Sequence, residues 1–150
     1  MAQRRPFRDT PELLEAADRV WWELGREDWL EAFSRHPKIG EQVAAQHGSA
    51  RALGWSEQEQ AGTAGASSDV RAALAEANRA YLARFGYIFI VCAAGKSSEE
   101  MLALLRQRLQ NRPDAELRIA AGEQRRITRL RLEKLLRESA APAIGPCEGN

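Results

Sequence analysis

Tyr87-Ile88-Phe89-Ile90-Val91-Cys92-Ala93-Ala94 decides the fold of this 150-residue chain. Aromatic and β-branched residues favour strands. A strand, however, must pair its backbone N–H and C=O groups, and no other run offers a clear partner. The run is also too short to span a bilayer. It is therefore predicted to be buried, extended backbone within a protein that is otherwise helical. The fold class expected is all-α, a single compact multi-helix domain with one short extended segment.

The flanking sequence supports this. Before the run, Gly86 marks the end of a helix that Ser68 or Asp69 caps and that reaches about Arg84, with Val70, Leu74, Ala77, Tyr81 and Leu82 on one side. After it, Ser97 or Ser98 with Glu99 and Glu100 starts a helix through Met101, Leu102, Leu105 and Leu109. That helix stops near Asn111, and another begins after Pro113 and runs to about Glu138. Towards the N-terminus, Thr10-Pro11-Glu12 reads as a helix start with Thr10 as cap. Leu13, Leu14, Ala17, Val20, Trp21 and Leu24 keep helical spacing up to Gly25, read as a left-handed stop. A shorter helix from Glu27 to Ser34 must end near His36, because the residue before Pro37 is pushed out of the α region. Further short helices are expected over Glu41 to Gln46 and from Ser56, with a loop from Gly62 to Ser68. Weak periodicity from Ser139 onward gives a helical domain over 1–138 and a flexible tail over 139–150, with no internal repeat or second domain.

Lys plus Arg (22) nearly balance Asp plus Glu (21). No long-range field then favours nucleic acid or an anionic membrane surface. The Arg-rich stretch Glu123 to Arg129 opens on a glutamate in a chain of nearly neutral charge and reads as a solvated helix face. No apolar run of about 18 residues is present, and the first residues lack the apolar stretch of a secretory signal, so a cytoplasmic protein is expected. Cys92 and Cys147 lie far apart and suit reduced thiols, and no Cys-x-x-Cys metal pattern occurs. Gly95-Lys96-Ser97 is no phosphate-binding loop, because Ile90 stands where that motif needs glycine.

Three residues stand out as candidates for chemistry. His36 can give and take protons near neutral pH, and its place beside Pro37 at a helix exit restricts its directions. His47, beside Gly48, has less to recommend it. Glu59 stands three residues after Ser56, the spacing of a capping box, but a helix start is equally a place to hold an anion. Arg131 falls within the apolar arc of Ile127, Leu130, Leu132, Leu135 and Leu136, whereas Arg125, Arg126, Arg129 and Arg137 lie elsewhere on the wheel. A guanidinium on such a face needs an anion, either a carboxylate of the protein or one of a substrate.

In order along the chain stand His36-Pro37-Lys38-Ile39-Gly40, Ser56-x-x-Glu59-Gln60, Asn78-x-x-Tyr81, Phe85-Gly86-x-x-Phe89-Ile90, Gly95-Lys96-Ser97 and Ile127-x-x-x-Arg131-Leu132. This series, covering about Pro6 to Arg137, resembles the 2-oxo-4-hydroxy-4-carboxy-5-ureidoimidazoline (OHCU) decarboxylase family, which acts in the breakdown of urate to allantoin. The resemblance implies an all-α homodimer with no metal or organic cofactor, no nucleic-acid or membrane partner, and a small-molecule ureidoimidazoline carboxylate as substrate. It implies that His36 is the general acid/base, with Glu59 and Arg131 completing the catalytic group. It also assigns substrate contacts to Pro37, to Ser56, Glu57, Gln58, Glu59 and Gln60, to backbone over Phe89, Ile90, Val91, Cys92 and Ala93, and to Arg131. Glu59 would accept bonds from ring or ureido N–H groups, Arg131 would grip an oxygen anion, and the 89–93 backbone would read the ring edge. Protonation of a fixed ring from one side would give one hand of allantoin. Lys96 departs from the family, which more usually has arginine there, and family members usually carry a further helix and aromatic segment before Arg5-Pro6-Phe7. The alternatives are a non-catalytic helical protein-interaction module, with Arg131 paired internally, and a relative that acts on another ureido acid.

Overall fold

A computed structural model of the chain describes residues 5–36 and 67–140. The expected elements at Glu41 to Gln46 and at Ser56, and the tail from residue 141, lie outside the described residues.

Helix α1 (Thr10–Glu23) carries Pro11 in its first turn. Asp9, not Thr10, is its N-cap, and the Asp9 carboxylate accepts the Glu12 N–H at 2.8 Å. A negative charge at this end is also favoured by the helix dipole, so the acidic neighbour takes the cap. Gly25 is not the left-handed stop expected of it. It has φ −85° and ψ 174° and is the N-cap of α2 (Arg26–Ser34), with its N–H donating to Asp28 Oδ2 at 3.0 Å. Only Leu24 and Gly25 separate the two helices, and both are extended, so the chain turns without a left-handed residue.

Helix α3 (Ser68–Phe85) is capped by Ser67, one residue ahead of the expected cap, and ends as predicted at Gly86, whose φ of 81° favours glycine. Leu74, Ala77 and Tyr81 are buried, but Leu82 is 39% exposed rather than on the packed side. Leu82 follows Tyr81 by one position, about 100° around the helix, which carries it off the stripe. Helix α4 (Ser98–Arg108) starts with the capping box of Ser97 and Glu100 and buries Met101, Leu102 and Leu105. Helix α5 (Pro113–Ala140) follows. Helix α3 packs on α4, and α1 packs on α5.

Between α3 and α4 the run from Tyr87 is neither helix nor strand, as the lack of a partner predicted. Tyr87, Phe89, Ile90, Val91 and Cys92 are all buried in one core with Phe33, Tyr81, Met101, Leu105 and Ile127. The Tyr81 ring stands 4.7 Å from Phe85 and 5.3 Å from Phe89, centre to centre. Trp21 and Trp22 part company as adjacent residues must. The Trp21 indole donates to Ala121 C=O at 2.9 Å, whereas Trp22 is 43% exposed with its edge against Trp29. Among the described residues no helix is long and apolar enough to cross a membrane.

Candidate functional site

His36 sits where α2 ends. Its N–H donates to Phe33 C=O at 3.1 Å, which fastens it to the last turn of the helix. Phe33 is fully buried, and its ring is 5.3 Å from that of Tyr87. Through this pair the histidine is tied to the start of the non-helical run. His36 itself is half-buried, and its Nε2 is shielded from solvent.

With no ladder to join, the run needs other partners, and charged side chains supply them. Arg108 Nη1 donates to Ile90 C=O at 2.7 Å. The Cys92 N–H donates to Glu123 Oε2 at 2.7 Å, and Lys96 Nζ donates to Cys92 C=O at 2.9 Å. Lys96 is half-buried and binds the run directly, so its role is not that of an exposed replacement for arginine. Charge-assisted bonds of this kind are roughly twice as strong as neutral ones, which makes the run a fixed platform rather than a slack loop.

Among the described residues Arg108 is the buried cation, and sequence reasoning missed it. Its Nη2 and Nε reach Glu116 Oε1 at 2.6 and 2.7 Å, with both side chains almost fully buried. The Tyr81 hydroxyl donates to the same oxygen, Asn111 donates to the other at 2.9 Å, and the guanidinium lies 4.6 Å over the Phe89 ring. Burial, then the bond to Glu116, holds the Tyr81 phenol far above its ordinary range. A signal for the pair existed: Arg108 follows Met101 and Leu105 by seven and three residues, and Glu116 precedes Ala120 and Gln124 by four and eight, so each stands on its helix's apolar stripe.

Arg131 is half-buried on α5. It follows Gln124 by seven residues and Ile127 by four, so it continues the core-facing stripe one turn beyond its last buried member. The cleft between α1 and α5 is lined by Asp18, Arg125, Arg129 and Leu132 among others, not by Arg131. Glu123, which holds Cys92, is two turns back on the same helix. Of the expected site residues, the structure thus puts His36 at the end of the helix whose Phe33 packs on Tyr87, just ahead of the buried run Phe89, Ile90, Val91, Cys92 and Ala93, and sets Arg131 on the helix that holds this run. Pro37, Ser56, Glu57, Gln58, Glu59 and Gln60 lie outside the described residues. Among the described residues no group of three or more His, Cys, Asp or Glu side chains gathers to hold a metal.

Comparison with known proteins places this arrangement in a family. The chain is 41% identical over 130 residues to a uric acid degradation bifunctional protein of Arabidopsis thaliana, a match covering 86% of this chain and 40% of that protein. It is 38% identical over 91 residues to the 2-oxo-4-hydroxy-4-carboxy-5-ureidoimidazoline decarboxylase of Mus musculus, covering 61% and 51% respectively. The chain thus spans about half the length of these curated relatives, or less. Its fold matches a crystal structure of OHCU decarboxylase in the presence of (S)-allantoin with a TM-score of 0.76 and 38% identity, over 90% of this chain and 87% of that one. The OHCU decarboxylase family model matches residues 1–133, and the chain belongs to that family.

Proposed function

We propose that this protein decarboxylates 2-oxo-4-hydroxy-4-carboxy-5-ureidoimidazoline to (S)-allantoin in urate catabolism, with His36 as general acid/base. Family membership supports the reaction class. The single observation that carries the residue assignment is the place of His36, its Nε2 shielded from solvent, at the end of the helix whose Phe33 packs on Tyr87 at the start of a run of backbone that charged side chains hold in place.

In this reaction the bond between the ring carbon and its carboxylate breaks, CO2 leaves, and the electron pair moves onto the neighbouring C=N group. The substrate is its own electron sink, so no pyridoxal or thiamin is required. The carbon that loses CO2 becomes a carbonyl as its hydroxyl gives up a proton, and one proton must reach the neighbouring, ureido-bearing carbon, which becomes the stereocentre. His36 is suited to both transfers, worth about 10² to 10⁴-fold in rate. Arg131 grips an anionic oxygen of the substrate, Glu59 accepts from its N–H groups, and the Phe89 to Ala93 backbone reads the ring edge. Pro37 and the Ser56 to Gln60 segment complete the contacts. Delivery of the proton to one face sets the hand of the product. The protein works as a cytoplasmic homodimer, without nucleic acid or membrane.

The test generates the unstable substrate from urate with urate oxidase and hydroxyisourate hydrolase and follows allantoin by circular dichroism. Wild-type protein is expected to form one enantiomer rapidly, and His36→Ala to lose about 10² to 10⁴-fold in rate while keeping its melting temperature. Failure of folded wild-type protein to accelerate the reaction, or a racemic product at early times, would overturn the proposal.

A further inference from the structure

The non-helical run is held at two adjacent peptide planes, and this fixes what it offers to a ligand. Ile90 C=O and Val91 N–H belong to one peptide unit, and Val91 C=O and Cys92 N–H belong to the next. Both units are trans, since the cis bond in the described chain is Arg5-Pro6. In a trans peptide the carbonyl and the N–H point in opposite directions within one plane. Arg108 draws the Ile90 carbonyl towards itself, so the Val91 N–H is turned away from Arg108. Glu123 draws the Cys92 N–H, so the Val91 carbonyl is turned away from Glu123. Neither Val91 group is used by the bonds that hold the run.

We propose that Glu123, with Arg108, is a positioning residue: by holding the peptide planes on either side of Val91, it presents Val91 N–H and C=O as the donor and acceptor that read a planar ureido or imidazolinone edge. This rests on the decarboxylase reading above and deepens it. Such an edge carries N–H beside C=O, so it needs an acceptor and a donor together. Glu123 is also the link between recognition elements, because it lies on α5 two turns before Arg131. One helix therefore sets both the backbone pair and the guanidinium.

Glu123 can be probed without opening the core. Its outer oxygen pairs with the exposed Arg126 at 2.7 Å, and this ion pair is a built-in control. Glu123→Ala removes the acceptor for Cys92, Glu123→Gln keeps an acceptor and removes the charge, and Arg126→Ala removes only the outer pair. In the allantoin assay, Glu123→Ala is expected to raise KM about tenfold with kcat little changed, as lost ground-state recognition does. Glu123→Gln should restore most of the wild-type KM, and Arg126→Ala should match wild type. A glutamine variant as impaired as the alanine one, or an alanine variant with unchanged KM, overturns the proposal. A second readout is independent of turnover: in ¹⁵N-edited spectra, titration with (S)-allantoin should shift the Val91 amide in wild type and Glu123→Gln but not in Glu123→Ala. Wild-type protein that does not accelerate allantoin formation refutes the decarboxylase reading alone, and a Val91 amide that (S)-allantoin leaves unmoved refutes this one.

Discussion

Along α5, residues 116–127 bury Glu116, Leu117, Ala120, Ala121, Gln124 and Ile127, whereas residues 128–140 contain no fully buried side chain. In the inner half the buried charge meets its partners inside the protein: Glu116 is saturated by Arg108, Tyr81 and Asn111. The outer half continues the same stripe into partial exposure, and there Arg131 stands. One periodic pattern thus carries two kinds of charge. A buried charge whose bonds are all internal has a structural role, while Arg131, on the same stripe at the margin of the core, is the charge proposed to meet the substrate.

The largest expected effect comes from breaking the inner half. Glu116→Ala strands the Arg108 guanidinium in the core, and removing one partner of a buried pair costs about 3 to 5 kcal/mol. Chemical denaturation should show a loss of this size, and a loss below about 1 kcal/mol would mean that Arg108 finds another anion. Tyr81→Phe removes one bond to the same carboxylate and should cost about 1.5 to 3 kcal/mol at neutral pH. Tyr81 also gives the inner half a pH signature. Its folded pKa is raised, so the stability linked to it is fully present below the unfolded value of about 10 and is lost as pH rises beyond that, because only the unfolded state then releases the proton. Wild-type stability should fall above about pH 10 more steeply than that of Tyr81→Phe, and parallel curves would remove Tyr81 from the linkage.

At the outer half the balance reverses. Arg131→Ala is expected to lower kcat/KM by a factor equivalent to about 1.5 to 3 kcal/mol, the range for a bond to a charged group, with stability changed by no more than about 0.5 kcal/mol. Stability lost with kcat/KM retained would make Arg131 a second structural charge and erase the distinction between the halves.

How much of this was legible depended on whether a feature is local. Gly86 and the Ser97 to Glu100 box are local, and both stand where the sequence placed them. Asp9 and Ser67 displaced adjacent cap candidates because several good capping residues lay together. Gly25 misled because glycine serves at both ends of a helix. The end of α2 just before His36 was legible from the proline that follows in the sequence. The run at 87–93 was legible as unpaired, but not the means of its support, because Glu123 reaches Cys92 across 31 positions and no local periodicity encodes that contact. Arg108 and Glu116 were written on two separate stripes, and only reading both together for opposite charge would have paired them.

The smallest effect tests the margin between the halves. The helical wheel put Leu130 in the apolar arc beside Arg131, yet it is 42% exposed. Truncating a side chain in that position removes little buried surface, so Leu130→Ala should change stability by no more than about 0.5 kcal/mol. Ile127→Ala, one turn inside at 5% exposure, should cost about 2 to 5 kcal/mol. The two substitutions bracket the edge of the core. If Leu130→Ala were as costly as Ile127→Ala, something must cover Leu130 in solution, and the neighbouring guanidinium would then be enclosed by the same cover. Arg131 would have moved to the side of the buried charges, and its anion would have to be sought within the assembled protein before any substrate.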